Sequence, residues 1–420
     1  MINEKRQWQL LERIGFSRTG GSKEEKKAAL ILKETIEKTG NEAIIEEFEV
    51  DWQDVKVANL KTDTREYNVT AYHQCANTDE NGLTAPFYYL STVNAVGIKN
   101  CKGKIVLVNG YINMKTYEKL IEGQAAGFIT FSGELKEAEE NADLESRELR
   151  PGQRAKGNLP GVHMKVHEAM ELVLENPEWV TINVQQDTYK IKSQNVISEI
   201  RGKKNSEEAV VFTAHYDSVQ YSSGVYDNGA GSVILMELYH YFLKNRPQRT
   251  VRFIWCGSEE RGLLGSIFHV KNNENLLKDI VLNINIDVAG PVLGSDVAIV
   301  TGPESLVHYI EYLSKEKGFE IKVKQDIYSS DNMPFAGKNI PTVSFGRFGG
   351  SGQAYIHDRY DQLFFMDSKN MYRTAEFVRV FAERMINSYV FPVPREMPEN
   401  MVKKIEKYLS DKIPEEKKEV

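Results

Sequence analysis

Short apolar runs rich in β-branched and aromatic residues alternate with longer stretches of helical periodicity from about residue 195 to 390. The short runs predict strands at 195–200, 209–215, 250–256, 280–287, 296–301, 321–325 and 341–346. The periodic stretches predict helices at 229–245, 261–273, 304–317 and 367–388. Strands that alternate with helices imply the α/β class: a mixed, mainly parallel sheet covered by helices on both faces. Ligands bind such sheets beyond the C-terminal ends of the strands, so polar side chains at those tips are the ones to inspect.

Upstream, helices are expected at 1–16 and 23–39, and strands at 44–51 and 55–60. The texture changes between 68 and 187. A polar, Asn-rich stretch with Gly82 and Pro86 precedes the strand 104–108, a helix over 114–126 and the strand 127–131. A charged stretch, 132–157, reads as a solvated loop, and two short apolar segments at 159–162 and 179–184 close the region. The α/β pattern resumes at 193–200, so 68–187 reads as a smaller, β-rich α+β domain inserted into a discontinuous one, 1–67 with 188–396. The charged tail 397–420 predicts a short amphipathic helix around Ile405 and Leu409 before a disordered end. His163 and His167, four apart near a helix start, offer two metal donors but no third ligand nearby.

With 420 residues, 41% of them hydrophobic, two or more domains are expected. A balance of 53 basic against 60 acidic residues, net −7, argues against a nucleic-acid groove or an anionic membrane surface as partner. No run reaches the ~18–20 apolar residues of a membrane span, and the charged N-terminus lacks the build of a signal peptide, so a cytoplasmic location is expected. Cys75, Cys101 and Cys256 fit free thiols in a reducing compartment. Oligomerisation stays open.

Four strand tips carry competent side chains. The first gives His215 and Asp217, with Asp227 in the following glycine-rich loop; the second leads to Glu259 and Glu260; the third ends in Asp287; the last precedes His357. Each has an ordinary reading as a cap, a turn or a solvated helix start. Together, two histidines and several carboxylates at one sheet edge form the nitrogen and oxygen donor set typical of zinc. Two ions about 3.5–4 Å apart need a bridging carboxylate, and five ligands plus one unliganded carboxylate fit that arithmetic.

The segments TAHYDSV with GVYDNGAG, SEERGLLGS, NIDVAG and HDRYDQ resemble the motif series of the co-catalytic zinc aminopeptidase family, which also includes glutamate carboxypeptidase-like enzymes and glutaminyl cyclases. The resemblance covers about 193–390 and implies a zinc-exopeptidase-like fold, peptide substrates and two Zn2+ ions. It implies Asp227 as the bridge, His215 and Asp287 completing one metal, and Glu260 and His357 the other. Glu259 is then the general base acting on a metal-bridging water, and Asp217 orients His215. The segments KGKIVLVNGY, AAGFITFSG and LPGVHM resemble the protease-associated domain that several members carry.

The chain departs from the family at two places. Ile356 stands where many members have an oxyanion-holding tyrosine, leaving Tyr355, Tyr360 or Tyr328 as substitutes, and Asn332 stands where His or Tyr often follows the aspartate. Asp358 and Asp361 flank His357 as surface or supporting groups. The expected activity is removal of residues from the amino end of peptides. A carboxypeptidase or dipeptidase, with Arg347 or Arg359 receiving a carboxylate, and an inactive binding or receptor homologue are the alternatives.

Overall fold

The computed structural model describes residues 1–412; the last part of the tail, with Pro414, lies outside the described residues. The chain packs as two compact units, one of Met1–Val50 with Ile191–Leu409 and one built on Asp51–Lys190. Two strands, Ile44–Lys61 and Trp179–Ile200, run through the divisions between them. Ile44–Lys61 joins the two strands expected at 44–51 and 55–60, and Trp179–Ile200 joins the apolar segment 179–184 to the strand expected at 195–200. The stretches read as breaks, such as the exposed 187–190, are polar but free of Gly and Pro, and solvated polar residues do not interrupt a ladder.

In the larger unit the strand order is Ile321–Gln325, Ser295–Thr301, Thr342–Phe348, Ile280–Ile286, Asn205–His215, Arg249–Cys256, then the end of Trp179–Ile200. The four strands Thr342–Phe348, Ile280–Ile286, Asn205–His215 and Arg249–Cys256 are mutually parallel, and antiparallel partners border them on both sides. The register sets Cys256 beside His215 and Asn285 beside Thr213, so these strands end at nearly one level.

The apolar run in Asn205–His215 is continuous because both faces are covered. Val210, Phe212 and Ala214 belong to one core, and Ala209 and Val211 to another on the opposite face. Helix Ala230–Lys244 is buried along nearly its whole length and packs against Glu4–Ile14 and Ser368–Asn387. Full burial of each Val, Leu or Phe side chain in this layer is worth about 1.5–3 kcal/mol. The C-terminal helix Glu399–Lys412 buries Met401 and Ile405 against Leu263, Met333 and Ala336. Among the described residues no helix is long and apolar enough to cross a membrane, and the three cysteines are buried and unbridged.

The smaller unit carries a sheet in the order Trp179–Ile200 (its first part), Leu83–Leu90, Ile105–Val108, Gly127–Ser132, Gly161–Lys165, Val69–Ala71, with three parallel pairings at its centre. Strand Leu83–Leu90 was hidden in the stretch read as polar. Pro86 sits opposite Trp179 where the strand changes partner, a position that needs no donated hydrogen bond. The two histidines do not form a metal pair. His163 lies in a strand between Thr130 Oγ1 (2.7 Å) and Ser132 Oγ (2.9 Å), while His167 bonds the Glu137 carbonyl. Burial pulls the His163 pKa down to about 3, and its two hydroxyl partners satisfy a neutral ring.

Candidate metal centre

His215 is the last residue of its strand and is buried. Its Nε2 lies 3.2 Å from Asp227 Oδ1 and 3.3 Å from Asp287 Oδ1, with Glu259 Oε2 at 4.0 Å, and its Nδ1 is 3.4 Å from Asp217 Oδ1. His357 Nε2 lies 3.1 Å from Asp227 Oδ2 and 3.1 Å from Glu260 Oε2. Asp227 therefore turns one oxygen to each histidine. Two donor groups result, His215 with Asp227 and Asp287, and Asp227 with Glu260 and His357. All seven sequence-predicted residues, Asp217 and Glu259 included, come together.

The loop after His215 has a specific backbone reason for its glycines. Gly224 has φ +57°, and a Cβ there would meet the Ser218 side chain at 2.5 Å. Asp227 and Asn228, joined by a cis peptide, interrupt the helical run just before Ala230–Lys244. The amides of Tyr226 and Asp227 donate to the two Asp361 carboxylate oxygens at 2.8 and 3.0 Å. Asn228 Nδ2 donates to the Ile286 carbonyl, and its Oδ1 accepts from the Val288 amide, so one side chain brackets Asp287 on both sides in sequence.

Asp217 does more than face His215. Its two oxygens accept the backbone amides of Glu259 (3.0 Å) and Glu260 (3.2 Å), holding the turn that presents both glutamates. Glu25, buried in an N-terminal helix, accepts from the Ser258 amide and hydroxyl and from Ser193, fixing the same turn from below. Asp361, read as a surface or supporting group, takes the supporting role, whereas Asn228 and Glu25 were not singled out. Only the acidic side chain of Asp361, four residues from His357, gave a local signal.

The electrostatics of the cluster follow from burial and crowding of like charge. Burial pushes Glu259 well above the usual carboxylate range, against the pull of His215 and with Glu260, Asp331 and Asp287 adding to it. Burial also raises Glu260, opposed by His357. His215 is driven the other way: burial lowers it, but the Glu259 charge and bonds with Asp217, Asp227 and Asp287 outweigh that and carry it well above its ordinary value. Buried acids crowd around two imidazoles, and Asp287 Oδ1 receives no hydrogen bond apart from its approach to His215. Buried charge of one sign requires opposite charge, and each donor group has the residues that could hold a cation. The donor types, two imidazoles and three carboxylates, suit zinc.

Among the tyrosines left open by Ile356, Tyr328 feels the charges of the cluster. Burial raises its phenol well above the ordinary value, and the charges next in importance are Asp287, Asp227 and Glu259. Its ring stacks on Phe348 at 5.7 Å. Tyr355 instead packs against Tyr360 and Phe365. Asn332 accepts from Thr342 Oγ1 at 3.1 Å and donates its amide to the Tyr328 carbonyl at 3.0 Å, a support for the backbone at Tyr328.

Residues 195–382 match the model of peptidase family M28. The chain is 29% identical over 352 residues to the aminopeptidase YwaD of Bacillus subtilis, covering 80% of this chain and 73% of that protein. Its fold is similar to that of BSAP, a zinc aminopeptidase from Bacillus subtilis, with a TM-score of 0.78 at 22% identity over 96% of this chain and 99% of the other. An aminopeptidase from Aneurinibacillus sp. strain AM-1 gives a TM-score of 0.73 at 20% identity, over 94% and 96%.

Proposed function

Residues 195–382 belong to peptidase family M28, and from that membership we propose that the chain is a di-zinc aminopeptidase acting on the amino ends of peptides. The observation that carries the reading is Asp227, whose two oxygens lie 3.2 and 3.1 Å from Nε2 of two different histidines. His215, Asp227 and Asp287 would hold one zinc, and Asp227, Glu260 and His357 the other. Each set of three protein ligands leaves an open position, the build of a catalytic rather than a structural site. Bound zinc would polarise the scissile carbonyl and lower the pKa of water.

The chain's own groups then divide the work. Glu259 belongs to neither ligand set, yet its carboxylate lies 4.0 Å from His215 Nε2. It takes the proton of the attacking water and delivers it to the leaving amine. Asp217 holds the glutamate turn and the His215 ring in one orientation. Tyr328 donates its hydroxyl to the carbonyl oxygen as negative charge develops there. In Tyr328→Phe we expect kcat to fall about 10²-fold, in line with loss of one oxyanion donor, while zinc content holds. An unchanged kcat would remove Tyr328 from this role.

The amino-end preference rests on charge. A site rich in buried carboxylates favours the ammonium of a free amino terminus and disfavours a carboxylate. Arg347, one candidate for a carboxylate pocket, is already bonded to Asp296 at 2.7 Å and to the Pro291 carbonyl at 2.9 Å. The zinc-loaded chain should hydrolyse aminoacyl-nitroanilides and leave N-acetylated peptides intact. Hydrolysis of amino-blocked peptides alone would overturn the aminopeptidase reading, and a chain that binds no zinc would favour the inactive binding homologue. The inserted unit is proposed to be a protease-associated-like domain, and deleting it should change peptide-length preference if it filters substrates.

A further inference from the structure

Arg18 lies in the N-terminal segment, outside the residues that match the family, and its side chain is completely buried. Isolated burial of a cation is costly, and here backbone carbonyls compensate it. Nε donates to the Tyr216 carbonyl, Nη1 to those of Phe16 (3.0 Å) and Ser223 (2.5 Å), and Nη2 to that of Gly224 (2.7 Å). The Arg18 amide also donates to Ser218 Oγ at 3.1 Å. Space for the guanidinium comes from glycine: a Cβ on Gly224 would stand 3.0 Å from Nη1, and one on Gly229 3.4 Å from Nη2.

These carbonyls are not scattered. Tyr216 follows His215 directly, and Ser223 and Gly224 open the segment that ends in Asp227. One planar fork thus spans the two backbone stretches whose side chains meet at 3.2 Å. Asp361 grips the same segment from its amide side and also accepts the Ser223 hydroxyl through its carbonyl. Carbonyls held by a cation and amides held by a carboxylate fix the loop without help from regular secondary structure. The acids whose charges act on Arg18 are Asp361, Asp217, Asp227 and Glu260.

We propose that Arg18 is a positioning residue of the metal centre, presetting the His215 and Asp227 loops for the ions before any ion binds. This rests on the zinc reading above, since the quantity it sets is the affinity of that site. Lysine would keep the charge but lose the fork.

The test has two arms. In chelator-stripped wild-type protein, the amides of Tyr226, Asp227 and Gly229 should exchange slowly with solvent; fast exchange would overturn the proposal and needs no variant. In Arg18→Lys, zinc affinity measured by chelator competition should fall about 10- to 100-fold, the range for groups that orient metal ligands. The rise in Tm on zinc loading should shrink accordingly. A purely structural arginine would lower the Tm of the stripped and loaded forms equally and leave zinc affinity unchanged, which would also overturn it. If Arg18→Lys does not fold, the wild-type exchange result decides. A wild-type chain that binds no zinc refutes the function reading. Equal zinc binding by wild type and Arg18→Lys refutes this inference alone.

Discussion

Glu259→Gln should retain the zinc content of the wild type and lose about 10⁴-fold in kcat, the upper range for removal of a general base. The amide has nearly the shape of the carboxylate but cannot accept and return a proton. Zinc should stay because Glu259 is in neither donor group, its closest approach to His215 Nε2 being 4.0 Å. The turn should also keep its shape, because Asp217 and Glu25 hold it through backbone amides at Glu259, Glu260 and Ser258 that the substitution leaves in place. Metal analysis beside steady-state kinetics checks the result. Retained turnover would reassign the base, and lost zinc would make Glu259 a ligand.

Asp227→Asn should abolish measurable activity by a different route. The carboxylate offers one oxygen to each donor group, at 3.2 Å from His215 and 3.1 Å from His357. An asparagine offers one oxygen and one NH2 group, and the NH2 donors cannot ligate a cation. Zinc should therefore drop from two ions per chain to at most one. Two zincs held as tightly as in the wild type would show that Asp227 is not the bridge. The pair of variants separates the roles: one keeps metal and loses proton transfer, the other loses metal.

The parallel sheet was legible because its strands are short apolar runs punctuated by turn residues, and the observed Arg249–Cys256, Ile280–Ile286 and Ile321–Gln325 differ from expectation by a residue at most. The long strands Ile44–Lys61 and Trp179–Ile200 were not, since their exposed polar stretches carry no period that distinguishes a solvated strand from a loop. Strand Leu83–Leu90 escaped for a related reason: Pro86 is an excluding signal in most strands and is tolerated here only by the change of partner.

By itself the sequence determined which side chains are the candidates for the chemistry and that they stand at the tips of neighbouring strands, because residue type and period are local properties. Tertiary structure decided what holds those side chains. That Asp217 caps the glutamate turn, that Asn228 brackets Asp287, that Tyr328 feels the charges of Asp287, Asp227 and Glu259, and that Arg18 grips the loop of Asp227 all depend on contacts between distant parts of the chain. Arg18 reaches Tyr216 across 198 positions, and Asp361 reaches Asp227 across 134. A buried guanidinium and a surface one look alike in the sequence. Only the packing that removes water from Arg18 and turns four carbonyls toward it makes it part of the site.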